Sequence, residues 1–580
     1  MTRLYNDPAD FADEMVDGFV AASSRWVRRV QGGVARATTS APGTVALVIG
    51  GGSGHYPAFG GLVGHGLAAG AAMGNLFASP SAQQIAAVAR ASEHGGGVLL
   101  SYGNYAGDVL NFDAAARTLE ADGIAVRSVP VTDDISSASV AERQKRRGIA
   151  GDLCVFKTAG AAAERGDDLD AVLAIADRAN ARTRSFGVAF SGCSLPGADE
   201  PLFTVPEGRM AVGMGIHGER GIGETDVPTA DGLAELLVSS LVAELPDDVQ
   251  TADGARAVVI LNGLGSVKYE ELFVVYNRVQ RLLAEAGVVV VEPEVGELVT
   301  SFDMAGVSLT LFWVDAELEE LWAAAADAPA YRKAGPDGQG VGATTRVDAA
   351  AIAADTEASI PDATDASRAA AGRVAAAVTA IRQVIDRNVD ELGRIDAVAG
   401  DGDHGIGMQR GSAAADAAAQ DAVARGAGAG SVLAIAGDAW SDRAGGTSGA
   451  IWGAALIALG RVLGDTDKPD ATTLARAVHA GTEAVLAFGA VVGDKTMVDA
   501  LVPFDTTLTE RVDAGDDLVP AWSGAATAAQ TAADGTADLL PKMGRARSHG
   551  DAAVGTPDAG AISFALIVDA VLHTLSAATD

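Results

Sequence analysis

At 580 residues the chain is long enough for about three or four compact units, and its 48% apolar content supplies several buried cores. Aromatics at 5% and 71 glycines suit Ala/Val/Leu-packed helices and strands joined by tight turns, and speak against a β-sandwich. The net charge of −34 repels a phosphate backbone, so nucleic acid is excluded as a partner. Two cysteines, Cys154 and Cys193, provide no disulfide framework, which fits a reducing compartment. Met1–Asp10 has no apolar signal core, and the apolar runs are strand-length or broken by charge or glycine. The expectation is a cytoplasmic protein with no membrane span.

Up to about residue 330, strand-like and helix-like segments alternate. Thr44–Ile49 is a β-branched run ending in a glycine loop, Ser81–Ala91 reads as a helix and Val98–Ser101 as a short strand. Ala257–Asn262 is a buried strand, followed by the Gly263–Gly265 turn, a helix from Tyr269 to Ala286 and the strand Val288–Glu292. Strand, turn, helix, strand is the pattern of a mostly parallel α/β sheet, which binds ligands beyond the carboxyl ends of its strands. Residues 331–366 change texture. Pro336, Gly338, Gly340 and Gly342 lead into Ala, Asp and Thr without periodicity, and the stretch reads as a flexible linker. From 367 to 580 the chain reads as all-helical. Val374, Val378, Ile381 and Ile385 mark one face of a helix that ends near Leu392, and Ile562–Leu575 is apolar nearly all round, as a buried helix is.

Asp396, Asp401 and Asp403 lie within eight residues among Gly400, Gly402 and Gly405. In an extended loop, carboxylates two apart point the same way, and glycines let the backbone approach a ligand. Such hard oxygens suit Mg²⁺ beside phosphates; the alternative is a solvated acidic turn. Gly445–Gly449 precedes an apolar helix, and its amides suit a phosphate, or Thr447 or Ser448 simply caps that helix. Arg545 and Asp558-Ala559-Gly560 precede the last helix. In the first half, Gly50-Gly51-Gly52-Ser53-Gly54-His55 follows a strand but is neither a Walker A loop nor a dinucleotide fingerprint. Asp108, after the strand Val98–Ser101, offers a carboxylate for moving a proton off a hydroxyl, or a helix cap. His217 sits in the glycine-flanked, exposed-looking Gly213–Glu219 stretch, placed as a nucleophile toward a carbonyl or as an ordinary loop histidine.

Taken together these segments resemble the dihydroxyacetone kinase family. Asp396…Asp401-Gly402-Asp403-His404-Gly405, Gly446-Thr447-Ser448-Gly449 and Gly493-Asp494-Lys495-Thr496-Met497-Val498-Asp499 resemble its nucleotide-binding L domain, a barrel of antiparallel helices. Gly50–His55, Asn104–Asp108, Gly215–Glu219, Asn262-Gly263-Leu264-Gly265 and Glu292-Pro293-Glu294-Val295-Gly296 resemble its two-lobed α/β K domain. The resemblance covers nearly the whole chain outside the linker. It implies a K domain at 1–330 and an L domain at 367–580, joined so that the halves approach, in a homodimer. It implies that Asp396, Asp401 and Asp403 hold two Mg²⁺ that clasp ATP. His404, Gly405, Ile406, Gly407, Thr447, Ser448, Gly489, Arg545, Asp558, Ala559 and Gly560 then line the nucleotide.

By the same resemblance, Gly52, Ser53, Gly54, His55, Asp108 and His217 bind a small ketose. His217 adds to the keto carbon as a hemiaminal, Asp108 takes the proton from a primary hydroxyl, and His55 hydrogen-bonds that hydroxyl or assists transfer. Two departures stand out: Gly103 occupies a position that is commonly lysine, and Tyr56 one that is commonly Glu. Loss of the lysine implies room for a longer ketose, as in the erythrulose branch of the family. The alternatives are a dihydroxyacetone or glyceraldehyde kinase, or a ketose sensor without catalysis.

Overall fold

The computed structural model describes residues 4–198, 200–219, 221–336, 338, 340, 360–398, 400, 402–543 and 553–577. The chain divides into two compact units, Met1–Ala349 and Ala350–Asp580.

The first unit begins with α1 (Phe11–Ala22) and the hairpin β1 (Val27–Val30) and β2 (Gly33–Arg36). Then come β3 (Ala46–Ser53), β4 (Gly70–Leu76), α2 (Ala82–Ser92), β5 (Val98–Gly103), α3 (Ala106–Ala121) and β6 (Val126–Val131). They form a six-stranded sheet in the order β1-β2-β4-β3-β5-β6, with β4, β3, β5 and β6 parallel. Ser81 and Gln84 start α2 with a capping box, which fixes where the helix leaves β4. The glycines expected in a loop after β3 lie inside it. A Cβ on Gly50 would sit 2.5 Å from the Ala72 carbonyl oxygen, one on Gly51 2.5 Å from the Phe59 ring, and one on Gly52 2.7 Å from the Ala78 amide. These glycines serve close packing of the strand, and the loop begins only at Gly54.

Helices α4 (Asp152–Arg165) and α5 (Leu169–Ala181) lead to the second sheet. Its elements are β7 (Thr183–Ala189), β8 (Arg209–Val212), β9 (Gly223–Asp226), α6 (Ala230–Val242), β10 (Arg256–Gly263), α7 (Tyr269–Glu285), β11 (Val289–Gly296) and β12 (Gly306–Trp313), followed by α8 (Ala316–Ala323). The strand order is β11-β10-β12-β7-β8-β9. Only β10 and β11 are parallel, as the strand–helix–strand pattern requires; β12 runs antiparallel to both β10 and β7. The expected mostly parallel sheet therefore holds for the first lobe and not for the second. The reason is the connection from β11 to β12, a loop rather than a crossover helix, which returns the chain in the opposite direction.

The unit closes with the hairpin β13 (Ala326–Asp327) and β14 (Arg332–Lys333). Lys333 Nζ pairs with Glu292 at 2.9 Å and Glu294 at 3.1 Å and lies over the Trp322 ring, while the Tyr331 hydroxyl donates to Glu294 at 2.8 Å. Residues 331–333 are thus built into the first unit, although they fall in the stretch read as linker. At its other end that stretch also gives way early. Ile360 packs on the helical core, and Thr364 caps a helix that starts at Asp365. Residues 341–359 lie outside the described residues.

The second unit contains α9 (Asp365–Asp396), α10 (His404–Ala424), α11 (Ala429–Ala444), α12 (Gly446–Leu463), α13 (Ala471–Leu486), α14 (Val498–Asp513), α15 (Leu518–Gly535) and α16 (Ala559–Ala577). Each helix packs on the next and α16 packs back on α9, which closes a ring. Short connections make most neighbours antiparallel. Val378, Ile381 and Ile385 of α9 are buried as their spacing predicts, and Val374 is partly so. Inside, Trp440 stacks on Trp452 at 5.2 Å, and Phe504 meets Trp522 and Phe564. α12 and α16 are long and apolar enough to cross a bilayer, where the sequence reading found no such segment. Both put core residues into this ring, among them Trp452, Leu456, Phe564 and Val568. α16 is buried on one side rather than all round, because the turn from Val571 to Ser576 stays partly exposed.

Replacing Gly51 by alanine forces a methyl into the Phe59 ring. Gly51→Ala is expected to destabilise the first unit by about 1–3 kcal/mol, read as a lower urea midpoint.

Candidate active site

The loops after β3, β5, β8 and β11 converge in the first unit. After β11, Asn262 in β10 fixes the next turn: its Oδ1 accepts from the Leu298 and Val299 amides at 2.9 and 3.0 Å, and its Nδ2 donates to the Val299 carbonyl at 2.7 Å. The anchored chain then clasps the glycine loop. The Phe302 amide donates to the Gly54 carbonyl at 2.8 Å and the Thr300 hydroxyl to the Tyr56 carbonyl at 2.9 Å. Within this clasp His55 is buried, with Nδ1 2.7 Å from the Thr300 carbonyl oxygen. Its Nε2 lies 2.9 Å from Nε2 of His217, whose Nδ1 is 3.1 Å from Glu219 Oε1. Phe77 stacks on His55 at 4.9 Å, and Tyr105 meets His217 edge-on at 4.5 Å.

The protons follow from the acceptors. A carbonyl oxygen and a carboxylate can only accept, so both Nδ1 atoms carry hydrogen. The Nε2–Nε2 contact needs one more. Three protons on four ring nitrogens give the pair a single positive charge, balanced by Glu219. Despite burial, His217 and Arg147 hold the Glu219 carboxyl far below the usual carboxylate range. Burial and the His217 charge lower His55 to about 3, so it accepts the shared proton's hydrogen bond rather than owning it. His217, expected in an exposed loop, is 12% exposed at its side chain.

Asp108 is buried and stands in the first turn of α3, not in a loop; Tyr105 is the residue that caps the helix. The helix N-terminus favours a carboxylate there. Ser53, the last residue of β3, spends its hydroxyl on the Gly74 carbonyl at 2.6 Å. The freed space expected at Gly103 is filled. A Cβ there would lie 3.1 Å from the Tyr105 ring and 3.4 Å from the Gly148 carbonyl oxygen. Glu219 and Tyr105 lie inside the motifs that point to His217 and Asp108, so their spacing carried a signal. Thr300 and Phe77 carried none, because only tertiary structure brings them to His55.

In the helical unit α9 continues past Leu392 to Asp396, which puts that aspartate at a helix C-terminus instead of in a loop. The negative end of the helix dipole opposes a carboxylate there and favours a cation. The His404 amide donates to Asp396 at 3.3 Å, and His404 Nε2 meets the Ser563 hydroxyl of α16 at 3.0 Å. Asp403 keeps an exposed face; its protein surroundings and the Asp396 charge push its carboxyl up. Asp558 caps α16 through the Ala561 amide at 2.7 Å, and desolvation, with Asp396 and Asp499 nearby, raises it to about 7. Ala559 and Gly560 open that helix, and Gly405 is buried where a Cβ would meet the Val389 carbonyl oxygen at 2.1 Å. Ile406 is exposed, and nothing lies within 4 Å of a Cβ at Gly407.

Thr447 and Ser448, expected in a loop, belong to the first turn of α12, and Gly489 lies at φ +93° in the turn after α13. Among the described residues no hydrogen bond ties these three to the Asp396 group. Asp401 and Arg545 lie outside the described residues. The Gly493–Asp499 motif is a loop knit to itself. Asp499 accepts from the Thr496 amide at 2.8 Å, and buried Lys495 donates to the carbonyls of Ala553 and Thr556 at 2.7 and 2.8 Å, just before Asp558. Among the described residues no three His, Cys, Asp or Glu side chains alone could hold a metal ion. Asp396 and Asp403 still supply two repelling hard-oxygen donors, which fit magnesium, an ion that completes its shell with water and phosphate.

Because the unfolded imidazole binds a proton near pH 6.5 and folded His55 only near 3, acidification through that window favours unfolding. His55→Gln is expected to flatten the fall of stability between pH 6.5 and 4, by up to about 1.4 kcal/mol per pH unit, in urea titrations.

The Dak1 domain matches residues 17–330 and the DAK2 domain residues 398–573. The chain is 62% identical to the L-erythrulose kinase of Pectobacterium atrosepticum, over 100% of its own length and 97% of that protein. It is 54% identical to the D-erythrulose kinase of Mycolicibacterium smegmatis, over 100% and 99%. It superposes on the crystal structure of the C. freundii dihydroxyacetone kinase in complex with AMP-PNP and Mg²⁺ with a TM-score of 0.52, at 27% identity over 99% of both chains. The chain therefore belongs to the dihydroxyacetone kinase family, with its Dak1 and DAK2 domains in one polypeptide.

Proposed function

We propose that this family member is an ATP-dependent ketose kinase that phosphorylates a primary hydroxyl of erythrulose, with the sugar held on His217. The observation that carries the sugar site is the His55–His217–Glu219 array, an imidazole pair with one shared proton and a carboxylate behind it. The preference for erythrulose over dihydroxyacetone is supported by likeness to the two erythrulose kinases over the whole chain. A vacancy at Gly103 does not support it.

The array suits addition to a ketone. His55 Nε2 takes the bridging proton, which frees the His217 Nε2 lone pair. That nitrogen bonds to the keto carbon while the carbonyl π pair moves to oxygen, and His55 returns the proton to that oxygen. The product is a hemiaminal whose ring stays cationic with Nδ1–H on Glu219, so no charge is created or lost. Asp108 receives the proton of the terminal hydroxyl as its oxygen bonds to the γ-phosphorus and the bond from that phosphorus to ADP breaks, ADP leaving with the electron pair. Glycerol has no keto carbon and cannot be held this way.

In the helical unit, Asp396 and Asp403, with Asp401, are the residues proposed to hold two magnesium ions. Magnesium, when bound with ATP, neutralises the charge on the transferring phosphoryl group. His404, Thr447, Ser448 and the Asp558–Gly560 turn are the proposed nucleotide contacts. The backbone amides of the α12 and α16 N-termini offer donors to phosphate.

ADP release measured with D-erythrulose, L-erythrulose, dihydroxyacetone and glycerol is expected to be fastest with an erythrulose enantiomer and absent with glycerol. Equal turnover of glycerol rules out the hemiaminal. Incubation with the favoured ketose is expected to add its mass to the intact wild-type chain, an adduct absent from His217→Ala. Asp108→Asn is expected to lower kcat by a factor of about 10²–10⁴ while the adduct still forms. Asp403→Asn is expected to lose turnover and keep the adduct.

A further inference from the structure

Beside Gly148, whose carbonyl holds Tyr105, stands a carboxyl group that the proposed reaction does not use. Asp152 is the first residue of α4 and is 1% exposed. Its Oδ1 is fully buried and has no hydrogen-bond partner among the described residues. The neighbouring acid, Asp133, is treated quite differently by the fold. Its two oxygens accept from the Ile149 and Gly151 amides at 2.9 and 2.8 Å, and these bonds shape the turn into α4. Asp133 therefore explains itself as a structural group, and Asp152 does not.

The surroundings of Asp152 belong to the sugar site. A Cβ built on Gly148 would lie 2.8 Å from Asp152 Oδ1 and 2.6 Å from the Cα of Gly103, the last residue of β5. The carbonyl of the same Gly148 accepts from the Tyr105 hydroxyl at 2.9 Å, and the Tyr105 ring packs on His217. Asp152 also lies close enough to Asp108 and Tyr105 to interact electrostatically with both. It thus borders the span between His217, where the keto carbon is held, and Asp108, where the reacting hydroxyl is held. Arg147, the cation of this region, is committed to Asp134 at 2.7 Å and to Glu219. Burial, with the charges of Asp133 and Asp108, raises the Asp152 carboxyl well above its usual range and favours its protonated form, which can both donate and accept. An unpartnered polar group at such depth is costly unless a ligand completes it.

We propose that Asp152 is a specificity residue that hydrogen-bonds the secondary hydroxyl of a four-carbon ketose, the group that dihydroxyacetone lacks. This rests on the ketose kinase reading above. It locates the selectivity in a carboxyl group at the head of α4, in place of the empty space that the missing lysine implied.

The test uses the full-length chain and coupled ADP release, with erythrulose and dihydroxyacetone as paired substrates. Asp152→Ala is expected to lower the ratio of kcat/KM for erythrulose to that for dihydroxyacetone by about tenfold or more, mainly through KM for erythrulose. Asp152→Asn, which still donates and accepts, is expected to hold that ratio within about threefold of wild type. Because Asp152 Oδ1 has no hydrogen-bond partner among the described residues, Asp152→Ala is also expected to keep or raise the melting temperature, whereas a structural aspartate would lower it. A ratio within twofold of wild type in Asp152→Ala, or parallel losses on both ketoses, overturns the proposal. Should the alanine variant fail to fold, that failure itself assigns Asp152 a structural role and also overturns it. A wild-type chain inert toward both ketoses removes the kinase reading itself, a failure distinct from an unchanged ratio in an active enzyme.

Discussion

One proton held between two imidazole rings organises the first unit. The Nε2–Nε2 contact of His55 and His217 exists only because each ring is pinned at its other nitrogen, by the Thr300 carbonyl and by Glu219. The pin on His55 comes from another part of the fold. Thr300 follows a strand of the second sheet, and His55 follows a strand of the first. The buried Asn262 amide, which fixes the Leu298–Val299 backbone, is therefore as much a part of the histidine pair as the rings themselves. A ring left free at Nδ1 could flip its tautomer, and the directional supply of one lone pair and one proton would be lost.

The parts of this arrangement that lie close together in sequence were legible there. His217 and Glu219 are two residues apart, Tyr105 and Asp108 three, and the alternating strands and helices around them follow hydrophobic pattern and glycine punctuation. What sequence could not supply was pairing across distance. Thr300 reaches His55 from 245 residues away. The antiparallel insertion of β12 gives no local sign, since β7 and β12 are buried at every position and so lack the alternation that reveals orientation. Gly50–Gly52 misled for a related reason. Glycine marks both a turn and a close approach, and only the neighbours, Ala72, Phe59 and Ala78, decide which. Gly103 repeats the lesson, because removal of a side chain leaves a hole only if nothing moves in.

The helical unit meets a different constraint, the crowding of negative charge. Asp396 ends a helix, Asp403 precedes another and Asp558 caps a third, so one repels, one is half exposed and one is used by the backbone. A chain of net charge −34 adds to that repulsion. The Gly493–Asp499 loop holds the approach to Asp558 through one buried lysine, Lys495, which donates to the Ala553 and Thr556 carbonyls. The carboxylates were legible as a motif. The tie from Lys495 to the segment before Asp558 was not, because the carbonyls it binds are more than forty residues further on.

The small hairpin that ends the first unit has a mechanical consequence. Lys333 is moored to Glu292 and Glu294 on β11 and rests on Trp322, and Tyr331 is tied to the same Glu294. β11 leads directly into the turn that positions Thr300. A tug on the chain after residue 333 is therefore borne first by two ion pairs and a phenol, which spread the load along a strand instead of passing it to the turn. The hairpin works as a strain relief, of the kind that protects a fine connection from the cable that leads to it.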